Sequence, residues 1–165
     1  MASPPLAFSL PQRVLHWLTA GLVLFNLLFP DGMNAWNRAM KRTGAATAEQ
    51  VAGANVHAYI GIVILVLVTL RLILRLVQGA PAAAPQEPGI FRLVAKGAEG
   101  ILYFLLFAMP VTGIAAYYLG FDGAGDLHAD VFKVILWALI ALHVLGALAH
   151  QFYWKTNVLR RMTVG

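Results

Sequence analysis

HADVFKVILWALIALHVLGALAHQFYW, residues 128–154, decides the fold. The run is apolar enough to cross a bilayer, yet it carries His128, His143 and His150. At ~100° per residue, the step from His128 to His143 leaves a rotation of about 60°, and the step to His150 leaves about −20°. All three imidazoles therefore fall on one stripe of one helix. A rise of ~1.5 Å per residue puts His128 and His143 roughly 22 Å apart. That is too far for one metal ion and suits two sites stacked across a membrane. A polar stripe buried in a bundle is the bland alternative, but ionisable side chains inside a span are costly and usually functional.

Composition extends this reading to the whole chain. Of 165 residues, 60% are hydrophobic and only 12% charged, with no cysteine. Soluble domains run near half apolar and a quarter charged, so an integral membrane protein is expected. Four apolar runs, at about 11–30, 55–77, 96–119 and 128–153, are each long enough for a helix across ~30 Å of hydrocarbon. The expected fold is all-α, a four-helix membrane bundle forming a single domain over 1–165. Without cysteine there are no disulfides, iron–sulfur clusters or c-type haem attachments. The net charge of +5 is scattered over short segments. Lipid headgroups and topology account for it better than nucleic acid does.

Between the runs, residues 30–54 read as a loop holding Arg38, Lys41 and Arg42, with Trp36 and Met40 as interfacial anchors. The segment 79–89, with Pro81, Pro85 and Pro88, reads as a boundary loop. Pro110 and Gly113 are expected to kink the third helix and let neighbours approach closely. Lysine and arginine counts favour both termini on the cytoplasmic side, with Arg38, Lys41, Arg42 and Lys133 outside.

Depth then sorts the histidines. His57 and His128 each fall at the first turn of a helix starting on the outer side, so they are level. His16 lies ~6 Å inside the inner end of the first helix, and His143 about 8 Å from the inner boundary. Four histidines thus form two pairs, His16 with His143 and His57 with His128. Zinc or copper would require further ligands at each level. Haem needs only the two imidazoles and room for a flat macrocycle, which Gly61 and Gly146 offer. Arg71, ~21 Å below His57, lies near the inner level and needs an anion such as a haem propionate. Arg75, one turn further, reads as reaching the inner headgroups.

The stretches RVLHW (13–17), NVHAYIG (55–61), LRLILRL (70–76), LYFLLFAMPVTG (102–113), LHADV (127–131) and ALHVLGALAHQFYWKTNVLRRM (141–162) cover every helix. Together they resemble the bacterial cytochrome b561 family, small four-helix cytochromes of the inner membrane with two haem b groups. The resemblance implies His16 and His143 as axial ligands of the cytoplasmic-side haem, and His57 and His128 of the periplasmic one. It assigns no ligand role to His150. In relatives that act as superoxide oxidases, the corresponding part of the fourth helix resembles a ubiquinone site, which implies His150 and Trp154 beside the quinone.

With both irons doubly ligated, chemistry is outer-sphere electron transfer. The expected activity is superoxide:ubiquinone oxidoreduction, oxidising periplasmic superoxide to oxygen and reducing membrane quinone. Arg38, Lys41, Arg42 and Lys133 would steer the anion, partly opposed by Asp122, Asp126 and Asp130. The competing expectation is an electron-transfer subunit anchoring a periplasmic dehydrogenase, hydrogenase or cytochrome partner. A third is a haem-free membrane protein using its histidines for metal transport or packing.

Overall fold

A computed structural model of the chain describes residues 5–83 and 87–165. Among them every regular element is helical: α1 (Leu10–Leu28), α2 (Asp31–Thr43), α3 (Ala48–Gln78), α4 (Gly89–Leu119), α5 (Asp122–Asp126), a π-helical turn (Leu127–Phe132), α6 (Lys133–Phe152) and α7 (Val158–Thr163). Pro85 of the connecting segment lies outside the described residues.

Three helical stretches are long and apolar enough to cross a membrane: α3, α4 and the continuous run Asp122–Phe152. A fourth span arises if α1 and α2, bent by 44°, are taken together. No more than 11% of each apolar window in those three stretches is buried. Leu70, Val77, Phe104, Val134 and Leu145 face outward, as side chains solvated by lipid do. The buried apolar cluster is one small layer, Val23, Ile64, Leu105 and Leu136, with one residue from each of α1, α3, α4 and α6, and Ala54 and Val68 of α3 are buried outside it.

Local chemistry explains the ends. Ser9 caps α1 and Thr47 caps α3, each closing a capping box with the glutamine three residues on, Gln12 and Gln50. Asp31 in the first turn of α2 and Lys41 and Arg42 in its last complement the helix dipole. Gly44 and Gly120 end α2 and α4 in the left-handed conformation at φ 70°. Gln12 Nε2 donates to the carbonyls of Leu74 and Gly79, fastening the start of α1 to the end of α3. Arg13 Nη1 and Trp17 Nε1 donate to Thr163 and Met162 carbonyls, which brings α7 to the same end.

Three expectations need correction. Residues 30–54 are not a loop: α2 fills 31–43 and α3 begins at Ala48. The segment is polar, but its caps and breakers specify a helix. The third span starts at Gly89, not near 96, because Pro88 serves as its N-cap. His57 is not in a first turn, lying 57 − 48 = 9 residues into α3, and α5 starts 128 − 122 = 6 residues before His128. Both helices are extended outward by similar amounts, so the two histidines still come level. Pro110 sits inside an unbroken α4.

Gly32 and Gly53 set the approach of α2 to α3. A Cβ on Gly32 would lie 2.6 Å from the Gly53 carbonyl carbon and oxygen, which are backbone and cannot swing away. Gly32→Ala is therefore expected to destabilise the fold by about 1–3 kcal/mol, read from denaturant titration of helical circular dichroism in detergent. Gly21→Ala, where no atom lies within 4 Å of the added carbon, should leave stability unchanged or slightly raised.

Candidate functional site

Three helical stretches bring four histidines together in two places. His57 on α3 and His128 in the π turn face each other with ring centres 6.1 Å apart and planes at 74°. His16 on α1 and His143 on α6 do the same at 6.2 Å and 57°. A metal between two imidazoles, ~2.0 Å from each coordinating nitrogen, sets the ring centres about 6 Å apart. Both pairs have that separation. Among the described residues no group of three or more histidine, cysteine or carboxylate side chains converges. Each level thus offers two nitrogens and no third donor of those kinds, the donor set of a bis-imidazole haem rather than of a tetrahedral metal.

The outer pair is held from all sides. His128 Nδ1 donates to the Met109 carbonyl at 2.8 Å, with Thr112 Oγ1 3.4 Å away. This fixes the tautomer and leaves Nε2 as the free acceptor, the usual outer-shell arrangement of a metal-binding histidine. Gly113 permits it: a Cβ there would meet His128 Cε1 at 3.2 Å and Nδ1 at 3.3 Å. The Lys133 amide bonds back five residues to the His128 carbonyl, so His128 sits in the widened π turn. That turn absorbs one residue and moves the offset to His143 from about 60° to about −40° on the α lattice. On α3, the His57 carbonyl accepts from Asn26 Nδ2 of α1 at 3.1 Å. Asn55 Oδ1 accepts from Tyr117 at 2.9 Å.

Beside this pair opens a cavity of about 310 Å³ lined by Val23, Asn34, Gly61, Pro110, Lys133 and Trp137 among others. Nothing approaches within 4 Å of where a Gly61 Cβ would stand, and the same holds at Gly146 next to the inner pair. Nδ1 of His16 and of His57 are enclosed with no hydrogen-bond partner among the described residues. Open space at glycine and paired rings fit a flat macrocycle held between imidazoles.

The remaining residues separate. Arg71 stacks over Tyr103, with its guanidinium carbon 5.7 Å from the ring centre, and is close enough to His16 and His143 to act on both electrostatically. Arg75 does not reach for headgroups: it pairs with Glu99 of α4 at 2.7 Å, a carboxylate one helix away supplying the partner. Arg38 and Arg42 line a separate surface cavity of about 370 Å³ on the other face of α2, and Lys41 lines neither cavity. Lys133 instead opens onto the outer cavity itself. His150 and Trp154 pack together at 4.9 Å, well removed along α6 from His128. Sequence reasoning missed Met109, Thr112 and Asn26. Its expectation of close packing at Gly113 pointed to the right spot on α4.

A family model described as prokaryotic cytochrome b561 matches residues 7–165. The chain is 35% identical to cytochrome b562 of Cereibacter sphaeroides, over 92% of this chain and 91% of that protein. It is 30% identical to cytochrome b561 homolog 1 of Escherichia coli, over 94% and 96% of the two chains. To the probable superoxide oxidase CybB of Yersinia pestis it is 28% identical, over 94% of each.

Gly113→Leu drives a branched side chain into the place of the His128 ring. Absorption spectra of the purified variant should show less b-type haem per chain than wild type. Unchanged spectra would show that the ring tolerates displacement from Met109.

Proposed function

Because the chain belongs to the prokaryotic cytochrome b561 family, b-type haem cytochromes of electron transport, we propose that it holds two haem b groups. One lies between His16 and His143, the other between His57 and His128. We further propose a superoxide:ubiquinone oxidoreductase of the inner membrane, its outer pair toward the periplasm and both termini cytoplasmic. The observation that carries this reading is the pair of stacked imidazole couples, each with the spacing of axial ligation.

Haem held by these histidines would supply one-electron outer-sphere transfer. The chain does the rest. His128, locked by Met109, presents Nε2 and cannot turn away. Val23, Ile64, Leu105 and Leu136 fill the space between the two levels and keep it dry. Arg71, stacked on Tyr103 and within electrostatic range of the inner pair, suits a propionate. Lys133 at the mouth of the outer cavity, with Arg38, Lys41 and Arg42 on α2, raises the local concentration of an anion such as superoxide. Asp122, Asp126 and Asp130 on the neighbouring segment reduce that field. His150 and Trp154, packed at 4.9 Å, would lie beside ubiquinone at the inner end. The basic residues gathered at that end, Arg13, Arg160 and Arg161 among them, support a cytoplasmic placement.

The 28% identity to a probable superoxide oxidase supports the activity, while the 35% relative bears only a cytochrome name. That second name favours a carrier reading, in which the exposed arginines of α2 dock a periplasmic redox partner.

Stopped-flow decay of superoxide, with purified protein and a soluble quinone as acceptor, separates the two. Acceleration over buffer and quinone reduction are expected without any partner protein; no acceleration rejects the oxidase. His16→Ala and His57→Ala should each drop the haem content from two to one per chain, with different spectra for the haem retained.

A further inference from the structure

The inner end of the bundle holds a second polar cluster that the paired histidines do not use. Glu87, just before α4, is buried with its side chain 6% exposed, and its Oε1 lies 3.4 Å from Nε2 of His150, itself 12% exposed. The other ring nitrogen, Nδ1, is 3.0 Å from Thr156 Oγ1. That hydroxyl donates its one hydrogen to the His150 carbonyl at 3.2 Å, so toward the ring it offers a lone pair. Thr156 therefore accepts from Nδ1–H, and Nε2 is the atom that faces the carboxyl group.

Between Glu87 Oε1 and His150 Nε2 there is a place for one proton. It sits on nitrogen, as imidazolium beside carboxylate, or on oxygen, as carboxylic acid beside neutral imidazole. Either form has no net charge, which suits a buried site. Loss of that proton leaves a carboxylate beside a neutral imidazole, one negative charge on the pair. Arg92 and Arg161, the cations tied to this segment, bond the carbonyls of Glu87 and Ala82 through Nη2 and Nη1. Neither enters the Glu87–His150 contact. Trp154 packs 4.9 Å from His150 at 54° and Phe91 5.3 Å from Trp154 at 61°, tilted aromatic rings next to the exchangeable proton.

The geometry points to Glu87 and His150 as a proton-supplying pair for quinone reduction at the inner face, an inference that rests on the quinone reading above. A quinone takes two electrons, one from each of two superoxide ions that leave as oxygen, and two protons. The pair gives one proton to a quinone oxygen, forming the new O–H bond as its own N–H or O–H bond breaks. It remains as carboxylate beside neutral imidazole, takes a proton from inner water, and gives the second.

The test uses the holoprotein in detergent, reduced chemically and mixed with a short-chain ubiquinone in H2O and in D2O. Wild type is expected to reoxidise with a solvent isotope effect. Glu87→Gln keeps the shape but cannot carry the proton, and should slow reoxidation about 10- to 100-fold at saturating quinone with KM unchanged, Glu87→Asp recovering part of the rate. Redox-difference infrared spectra read the same group without kinetics: a carboxyl or carboxylate band of Glu87 should change in wild type and be missing in Glu87→Gln. A wild-type rate in Glu87→Gln, a change in KM alone, or neither a carboxyl nor a carboxylate band changing in wild type each overturns the pair. The isotope effect and the infrared band need only wild type, should a variant fail to fold. Wild-type protein that quinone does not reoxidise at all rejects the quinone reading itself, and the pair with it.

Discussion

An imidazole inside a lipid-embedded bundle must meet something, because no water is there to satisfy it. In this chain it meets another imidazole, at ring separations of 6.1 and 6.2 Å. The other features of the interior follow from keeping those couples in place. α4 brings no histidine, but it brings the carbonyl that holds one, and the glycine that lets the ring reach it. α1 contributes His16 to one couple and, through Asn26, a hydrogen bond to the backbone of the other.

Much of this was legible in the sequence because lipid is a demanding solvent. Apolar runs of span length leave few alternatives, and four histidines within them stand out against such a background. Their pairing came from helix rise and antiparallel connection alone. The premise that His57 lies in a first turn was nonetheless wrong, and the levels agreed because α3 and α5 both extend outward beyond the apolar run. The extension was encoded locally: Thr47 with Gln50 is a capping box, and Asp31 with Gly44 frames α2. Hydropathy averages over such signals, since a polar amphipathic helix lying along the bundle scores like a loop.

What the sequence does not carry is partner choice between helices. Arg75 looks like a headgroup anchor until Glu99 is placed beside it, 24 residues on in the chain. The π turn at Leu127–Phe132 is equally silent, because no residue type announces an extra residue in a turn. It falls at one of the four paired histidines, where widened turns are commonly found. The bond from His128 to Met109 depends on that turn and on Gly113 together.

Position along the helices ties the two levels to the packing between them. Val23 follows His16 by seven residues, Ile64 follows His57 and precedes Arg71 by seven, and Leu136 precedes His143 by seven. Seven residues are close to two turns, ~10.5 Å, and bring a side chain back to nearly the same face. The face that carries imidazoles at two heights therefore carries the buried apolar layer midway. An antiparallel bundle needs no further instruction to stack site, layer and site. It also makes the layer a region where four helices pack on each other, with open space left beside Gly61 and Gly146. Substitutions that enlarge the layer would spread both sites at once, whereas changes at either imidazole pair stay local to their own height.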